Sequence, residues 1–281
     1  MQVVFLVFLF VIGACCGSYL CCQARRMRLK EFANKESSTK KSSAKKSSTK
    51  KSLGNRSICL HCGYQLKWYD NLPIISWLFL RGKCRKCGKK IGLLEILSEL
   101  GLALAFLALG TTINISTATI LEWAIFAMTL VLTLTLGFLA IYDGAYGELP
   151  SLCLTISIIC AIIILILKEW TLLLVAPFSP ENILAPVLSV LILGGLYLLL
   201  YLISKGKWVG NGDWILGTAI GIALLSPWLS LIALFLSNFL ACVIMFPFVK
   251  GKHRQKIHFG PFLVIAFVIT ASFADFFISM L

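Results

Sequence analysis

The sequence predicts an all-α polytopic membrane protein with about eight transmembrane helices and a small cytoplasmic four-cysteine domain between the first and second. Three observations predict it. The 281 residues are 59% hydrophobic with a mean hydropathy of +0.90, against roughly 45–50% apolar in an ordinary soluble domain. Several apolar runs reach the ~20 residues that cross a bilayer. The basic residues fall in a few loops rather than over the whole chain, as the positive-inside rule produces.

The first span is residues 3–22, within a first-helix unit 1–22. No basic residue precedes it and Cys15-Cys16-Gly17-Ser18 is a poor cleavage site, so it is expected to stay as a helix instead of being removed as a signal peptide. Residues 23–56 form a basic linker. Its near-repeat of Lys-Lys-Ser-Ser between Lys40 and Ser52 offers nothing to build a core, so a solvated tether attracted to anionic lipid is expected. Residues 57–92 are a small domain with Trp68, Trp77 and the cysteine pairs. The remainder, 93–281, is a seven-helix membrane core, with spans near 93–110, 119–142, 150–168, 184–204, 214–226, 229–247 and 260–280. The span at 214–226 is short, so it is expected to tilt or to merge with its neighbour across Ser226-Pro227.

With eight spans, the loops at 23–92, 143–149, 205–213 and 248–259 lie on one side and hold 25 of the 26 Lys and Arg residues, leaving Lys168 opposite. That side is the cytoplasm, and both termini lie outside. The net charge of +14 therefore reflects topology. Nucleic-acid binding is not expected, because the basic run carries no interleaved aromatics.

Cys59-Leu60-His61-Cys62 and Cys84-Arg85-Lys86-Cys87 stand twenty-one residues apart, with Gly63 and Gly88 directly after each pair. Two such knuckles read as a zinc-ribbon-like domain in which Cys59, Cys62, Cys84 and Cys87 hold a structural Zn2+ that supplies folding energy. A redox dithiol and a fold that has lost its metal are the alternatives. His61 is not expected to ligate, since four thiolates close the shell.

An acid at a membrane helix end is costly unless it has a function. Asp143 lies at the cytoplasmic end of the third span and Asp213, in Gly210-Asn211-Gly212-Asp213, at the cytoplasmic start of the sixth. The topology gives them one side and one depth. Two carboxylates sharing a site keep one proton between them, which suits activation of water for peptide hydrolysis. Helix dipoles would place that proton more often on Asp143, which closes a helix, than on Asp213, which opens one. Gly210 and Gly212 are expected to allow positive φ and a close approach of substrate backbone. A helix N-cap is the plain alternative for Asp213. Glu95 and Glu99 open the second span, with Glu99 facing the bundle or the cysteine domain. Glu122 and Asp275 suit solvation at the outer face. His258 is expected to be an interfacial loop histidine rather than a catalytic one.

The motifs together resemble those of the prepilin peptidases, the type IV leader peptidases of bacterial membranes. Gly17-Ser18-Tyr19-Leu20 looks like the family's G-S-F-L. Tyr69-Asp70-Asn71-Leu72-Pro73-Ile74-Ile75-Ser76-Trp77 resembles Y-D-N-I-P-x-x-S-W, and Leu80-Arg81-Gly82-Lys83-Cys84-Arg85-Lys86-Cys87-Gly88 resembles L-R-G-R-C-R-x-C-G. Glu99 falls where the family has a Glu, Asp143 with Pro150 matches D-x6-P, Gly210 to Asp213 matches G-x-G-D, and Phe259-Gly260-Pro261-Phe262 resembles F-G-P-F. The chain departs at Cys21, where the family often has Asn, and at Asp213-Trp214-Ile215, where D-x-K is common.

The resemblance implies an intramembrane aspartyl protease of the bacterial plasma membrane, with Asp143 and Asp213 catalytic. It would cut the basic leader from type IV prepilins or pseudopilins at the cytoplasmic face, and S-adenosylmethionine would then serve N-methylation of the new terminus. Two other classes compete. A proton-coupled transporter would want acids at mid-membrane on several helices. A non-catalytic membrane adaptor would use the cysteine domain for docking and leave Asp143 and Asp213 without work.

Overall fold

Apolar composition and helix propensity leave the chain one way to satisfy its backbone in lipid, and the computed structural model is helical throughout the membrane part. It describes residues 1–39, 57–59, 61–175, 180–207, 209–245 and 258–280. The helices are α1 Gln2–Thr39, α2 Ile75–Phe79, α3 Leu93–Gly110, α4 Ile120–Tyr146, α5 Ser151–Val175, α6 Pro180–Val190, α7 Leu196–Ser204, α8 Asp213–Leu224, α9 Pro227–Met245, α10 Gly260–Ser272 and α11 Ala274–Ser279. A π-helical turn at Leu191–Gly195 joins α6 to α7. Among the described residues, six helices are long and apolar enough to cross a membrane, and the apolar α8 and α10 are shorter. Together they take the eight predicted places.

The differences from expectation lie at helix ends. Helix α1 does not stop near residue 22; it continues to Thr39, into the stretch read as tether. Polar contacts support the extension: Arg25 pairs with Glu95, and Arg28 with Glu31 and Glu148. The Lys/Ser repeat at 40–56 lies outside the described residues.

Helices α8 and α9 do not merge, because Leu225 takes a left-handed φ of 62° and breaks the run. At 1.5 Å per residue α8 is only about 18 Å long, so it starts or ends inside the slab. The last span also divides, at Phe273 between α10 and α11. Glu122 serves its own helix: Thr119 Oγ1 accepts from the Glu122 N–H while Glu122 Oε2 accepts from the Thr119 N–H at 2.7 Å, a capping box.

Small residues set the helix spacing. Gly13 and Gly17, four apart on α1, lie against α3 so closely that a Cβ at Gly17 would fall 2.7 Å from the Glu99 Cα, the close backbone approach that membrane helices use in place of a hydrophobic driving force. Two apolar clusters result. One joins α1, α3 and α4 around Leu102, Phe106, Phe138 and Tyr142. The other joins α4, α5, α8, α9 and α10 around Leu139, Leu216, Ile220 and Leu263. Helix α4 belongs to both, so its last turn, which carries Asp143, is fixed from two sides.

The segment from Ser57 to Gly92 folds as two matching knuckles. Gly63 and Gly88 have φ of 68° and 67°, and the Gly63 and Gly88 amides each donate to the carbonyl of the first cysteine of their pair at 2.9 Å. Isolated bridges, Ile58 with Gln65 and Lys83 with Lys90, close each knuckle. The domain docks on α3 through Ile74, whose N–H donates to Glu99 Oε2 at 2.7 Å. Ile74 has φ of 62°, a strained conformation for a β-branched residue that costs of order 1–3 kcal/mol and persists only where the surroundings impose it. Glu99 faces the cysteine domain, one of the two placements the sequence allowed.

Candidate active site and cysteine cluster

Asp143 sits in the last turn of α4, which Gly147 ends in a left-handed conformation with its N–H on the Asp143 carbonyl at 2.7 Å. The side chain is 6% exposed. Its Oδ2 accepts the Gly260 N–H at 2.9 Å, at the first residue of α10. A Cβ on Gly260 would stand 2.8 Å from that same oxygen, so the contact exists because position 260 has no side chain. His258 packs on the same turn: Nδ1 lies 2.6 Å from the Asp143 carbonyl oxygen and 3.8 Å from Oδ1. A carbonyl only accepts, so Nδ1 carries the hydrogen.

Asp213 is the first residue of α8 and is 8% exposed. Its Oδ2 accepts the Gly210 N–H at 2.9 Å. The N-cap position belongs to Gly212, so Asp213 is not the capping residue, and its carboxylate faces back along the loop. Neither Gly210 nor Gly212 has positive φ, contrary to the expectation. Gly212 is small because the loop after α4 presses on it: an added Cβ would meet Leu149 Cβ at 2.7 Å. The loop beyond Asp143 thus lies on the loop before Asp213. Phe259 packs beside them, 5.3 Å from Tyr197 between ring centroids.

This geometry removes the premise for ranking the two acids by helix dipole. Asp143 does close α4, but its carboxylate also meets the N-terminus of α10, as Asp213 meets that of α8. Each carboxylate accepts one backbone N–H. No cationic side chain pairs with Asp213 among the described residues. Buried carboxylates so weakly compensated favour sharing a proton over double ionisation. Such a pair can accept a proton from water and donate one to a carbonyl oxygen.

The residues that sequence reasoning undervalued are Gly260 and His258. Phe259-Gly260-Pro261-Phe262 was legible as a helix start with Pro in its first turn, but nothing in it names Asp143 as the partner.

Within the cysteine domain, the sulfurs of Cys59, Cys62, Cys84 and Cys87 all lie within 4.8 Å of one another. Cys59 and Cys87 are 3.9 Å apart, and Cys62 and Cys84 4.0 Å. Tetrahedral coordination at ~2.3 Å per bond places sulfurs about 3.8 Å apart, whereas a disulfide needs ~2.05 Å. The cluster could hold one metal ion. Backbone N–H groups of Cys87 and Lys86 aimed at the Cys84 sulfur lower its thiol to about 6, so the turn favours thiolate before any metal arrives. His61 is not part of the cluster.

Residues 11–113 match the model of the bacterial peptidase A24 N-terminal domain. The chain is 30% identical over 218 residues to the prepilin leader peptidase/N-methyltransferase of Dichelobacter nodosus, covering 75% of this chain and 68% of that protein. The chain belongs to the prepilin leader peptidase/N-methyltransferase family. The protein of that name from Aeromonas hydrophila is 28% identical over 238 residues, 78% of this chain and 72% of its own length. The one from Myxococcus xanthus is 38% identical over 104 residues, 37% of this chain and only 25% of its own length. No solved structure gives a significant match. Family membership accounts for the order of the motifs. The transporter alternative gains no support from these relatives.

Proposed function

We propose that the protein is an aspartyl endopeptidase of the bacterial plasma membrane. It removes the basic leader from type IV prepilins or pseudopilins at the cytoplasmic face, with Asp143 and Asp213 as the catalytic pair. The observation that supports this reading is a pair of buried carboxylates at helix ends whose adjoining loops touch through Leu149 and Gly212, each carboxylate accepting a single backbone N–H. In the resting pair one acid is protonated and one ionised. The ionised carboxylate takes a proton from water as it attacks the scissile carbonyl, and the protonated one donates to the carbonyl oxygen; the roles reverse as the amine leaves. Gly210 and Gly260 orient the two carboxylates, and Gly212 keeps the loops together.

Cys59, Cys62, Cys84 and Cys87 hold a structural Zn2+, a closed four-thiolate site that stabilises a domain with little core of its own. The loops at 23–92, 143–149, 205–213 and 248–259 face the cytoplasm, the three basic ones meeting anionic lipid, and both termini lie outside. S-adenosylmethionine supplies the methyl group for N-methylation of the new amino terminus.

The test is co-expression with a prepilin and mass spectrometry of its N-terminus. Asp143→Ala and Asp213→Ala should each abolish leader removal while the protein still inserts, a loss of at least about 10³-fold for a group acting in proton transfer. Full processing by either variant would refute the assignment.

A further inference from the structure

Helix α1 runs on to Thr39, and its cytoplasmic part lies along the last turn of α4. Arg28 and Glu31 make the contact. Glu31 Oε2 accepts the Tyr142 hydroxyl at 2.9 Å. Arg28 donates to the same Glu31 oxygen at 3.3 Å and to Glu148 Oε2 at 2.6 Å. Its guanidinium also lies over the Phe32 ring at 4.8 Å and the Tyr146 ring at 5.2 Å, and Tyr146 meets Tyr142 edge to face at 4.9 Å. Tyr142 is buried, so its hydroxyl needs a partner inside the protein, and Glu31 provides an acceptor.

Tyr142 directly precedes Asp143. Consecutive residues of an α-helix point about 100° apart, so Tyr142 meets α1 on one side of α4 while Asp143 meets the Gly260 N–H of α10 on another. Rotation of the last turn about its axis is therefore resisted from two directions. The accuracy needed is high. At a helix radius of about 5–6 Å, side chains included, a turn of about 10° moves a carboxylate by about 1 Å. Misplacement by about 1 Å costs of order 10²-fold in rate. We infer that Glu31 is a positioning residue for the peptidase reaction, holding Asp143 in register through the Tyr142 hydroxyl. This role rests on the assignment of Asp143 as a catalytic acid, and it extends the site to a helix that supplies no group to the chemistry. Arg28 compensates the Glu31 charge and keeps its Oε2 aimed at Tyr142. The other bond of Arg28 holds Glu148, next to the Leu149 side chain that presses on Gly212. The cytoplasmic stretch of α1 is thus a strut on the Asp143 turn and on the loop that follows it.

The experiment measures cleavage of a purified prepilin by the full chain in nanodiscs, at equal amounts of inserted enzyme. The wild type is compared with Glu31→Ala, Glu31→Gln, Tyr142→Phe and the double variant Glu31→Ala/Tyr142→Phe. Loss of this anchor should lower kcat about tenfold in Glu31→Ala and in Tyr142→Phe, with KM within about twofold of wild type. Glu31→Gln keeps an oxygen acceptor for the hydroxyl and should recover most of that loss. The double variant should be no slower than either single one, because both changes break the same hydrogen bond. A wild-type kcat in both single variants, a loss confined to KM, or losses that multiply in the double variant overturns the role. A merely structural contact gives the first of these, lowering yield or melting temperature while kcat per inserted enzyme stays the same. In each of those cases, cleavage by the wild type that stops in Asp143→Ala leaves the peptidase reading standing; a wild type that cleaves no prepilin removes both. If Glu31→Ala fails to insert, Tyr142→Phe, which loses one oxygen and keeps its ring, decides the matter.

Discussion

Gly260→Ala separates local helix preference from the demands of the site. By propensity the change is favourable, since alanine is better than glycine in a helix by up to about 1 kcal/mol, and Gly260 does not use positive φ. The tertiary neighbours say otherwise. The new Cβ would stand 2.8 Å from Asp143 Oδ2, 3.3 Å from its Cβ and 3.4 Å from its Cγ. The oxygen is the end of a side chain and can rotate away, while the other two contacts need a shift of only a few tenths of an ångström. The stability cost is therefore small, within about 1–2 kcal/mol, at the low end of overpacking. The carboxylate, however, must lengthen its 2.9 Å bond to the Gly260 N–H and leave its productive position. Misplacement by about 1 Å costs of order 10²-fold in rate. Leader cleavage in membranes should fall by about that factor, with a melting temperature in detergent within a few degrees of wild type. Gly101→Ala, where an added Cβ meets nothing within 4 Å, is the control and should cleave normally. Cleavage by Gly260→Ala at the wild-type rate would refute the placement of Asp143 against α10 and weaken its catalytic role.

Three further predictions concern the cysteine cluster and the parts around the pair. Purified protein should carry one zinc per chain by elemental mass spectrometry, and Cys84→Ser should lose it and expose residues 57–92 to limited proteolysis. Because the Cys84 thiol is lowered to about 6, it stays a thiolate above that pH and begins to compete for a proton as pH falls through it, so metal affinity should drop more steeply below about pH 6; an unchanged slope would contradict the backbone N–H contacts. Arg28 bonds Glu148 and lies 5.2 Å over the Tyr146 ring, so Arg28→Ala should loosen the loop that presses on Gly212. Stability should change by less than about 1 kcal/mol, as for other exposed pairs, while kcat for cleavage drops several-fold with Arg28→Lys partly restoring it; an effect on KM alone would argue for a contact to substrate instead.

Composition and motif spacing by themselves determined the helical membrane class and the four-cysteine cluster. Hydrophobic length, positive-inside bias and C-x-x-C spacing are local or additive properties, and a chain read in order displays them. Asp143 and Asp213 were legible for the same reason: an acid among apolar residues is conspicuous wherever it falls. Only the tertiary structure decided what surrounds them. That Gly212 is small for Leu149, that Gly260 leaves room for Asp143 and that His258 holds the Asp143 carbonyl are facts about residues 63 to 117 positions apart, joined by helix packing that no periodicity encodes. The same holds for Trp77 and Glu95, which line one cavity only because the cysteine domain packs against α3. The dipole ranking of the two acids loses its premise on this point, since the sequence assigns Asp143 to the end of its own helix and only the packing reveals that the side chain lies against the start of another.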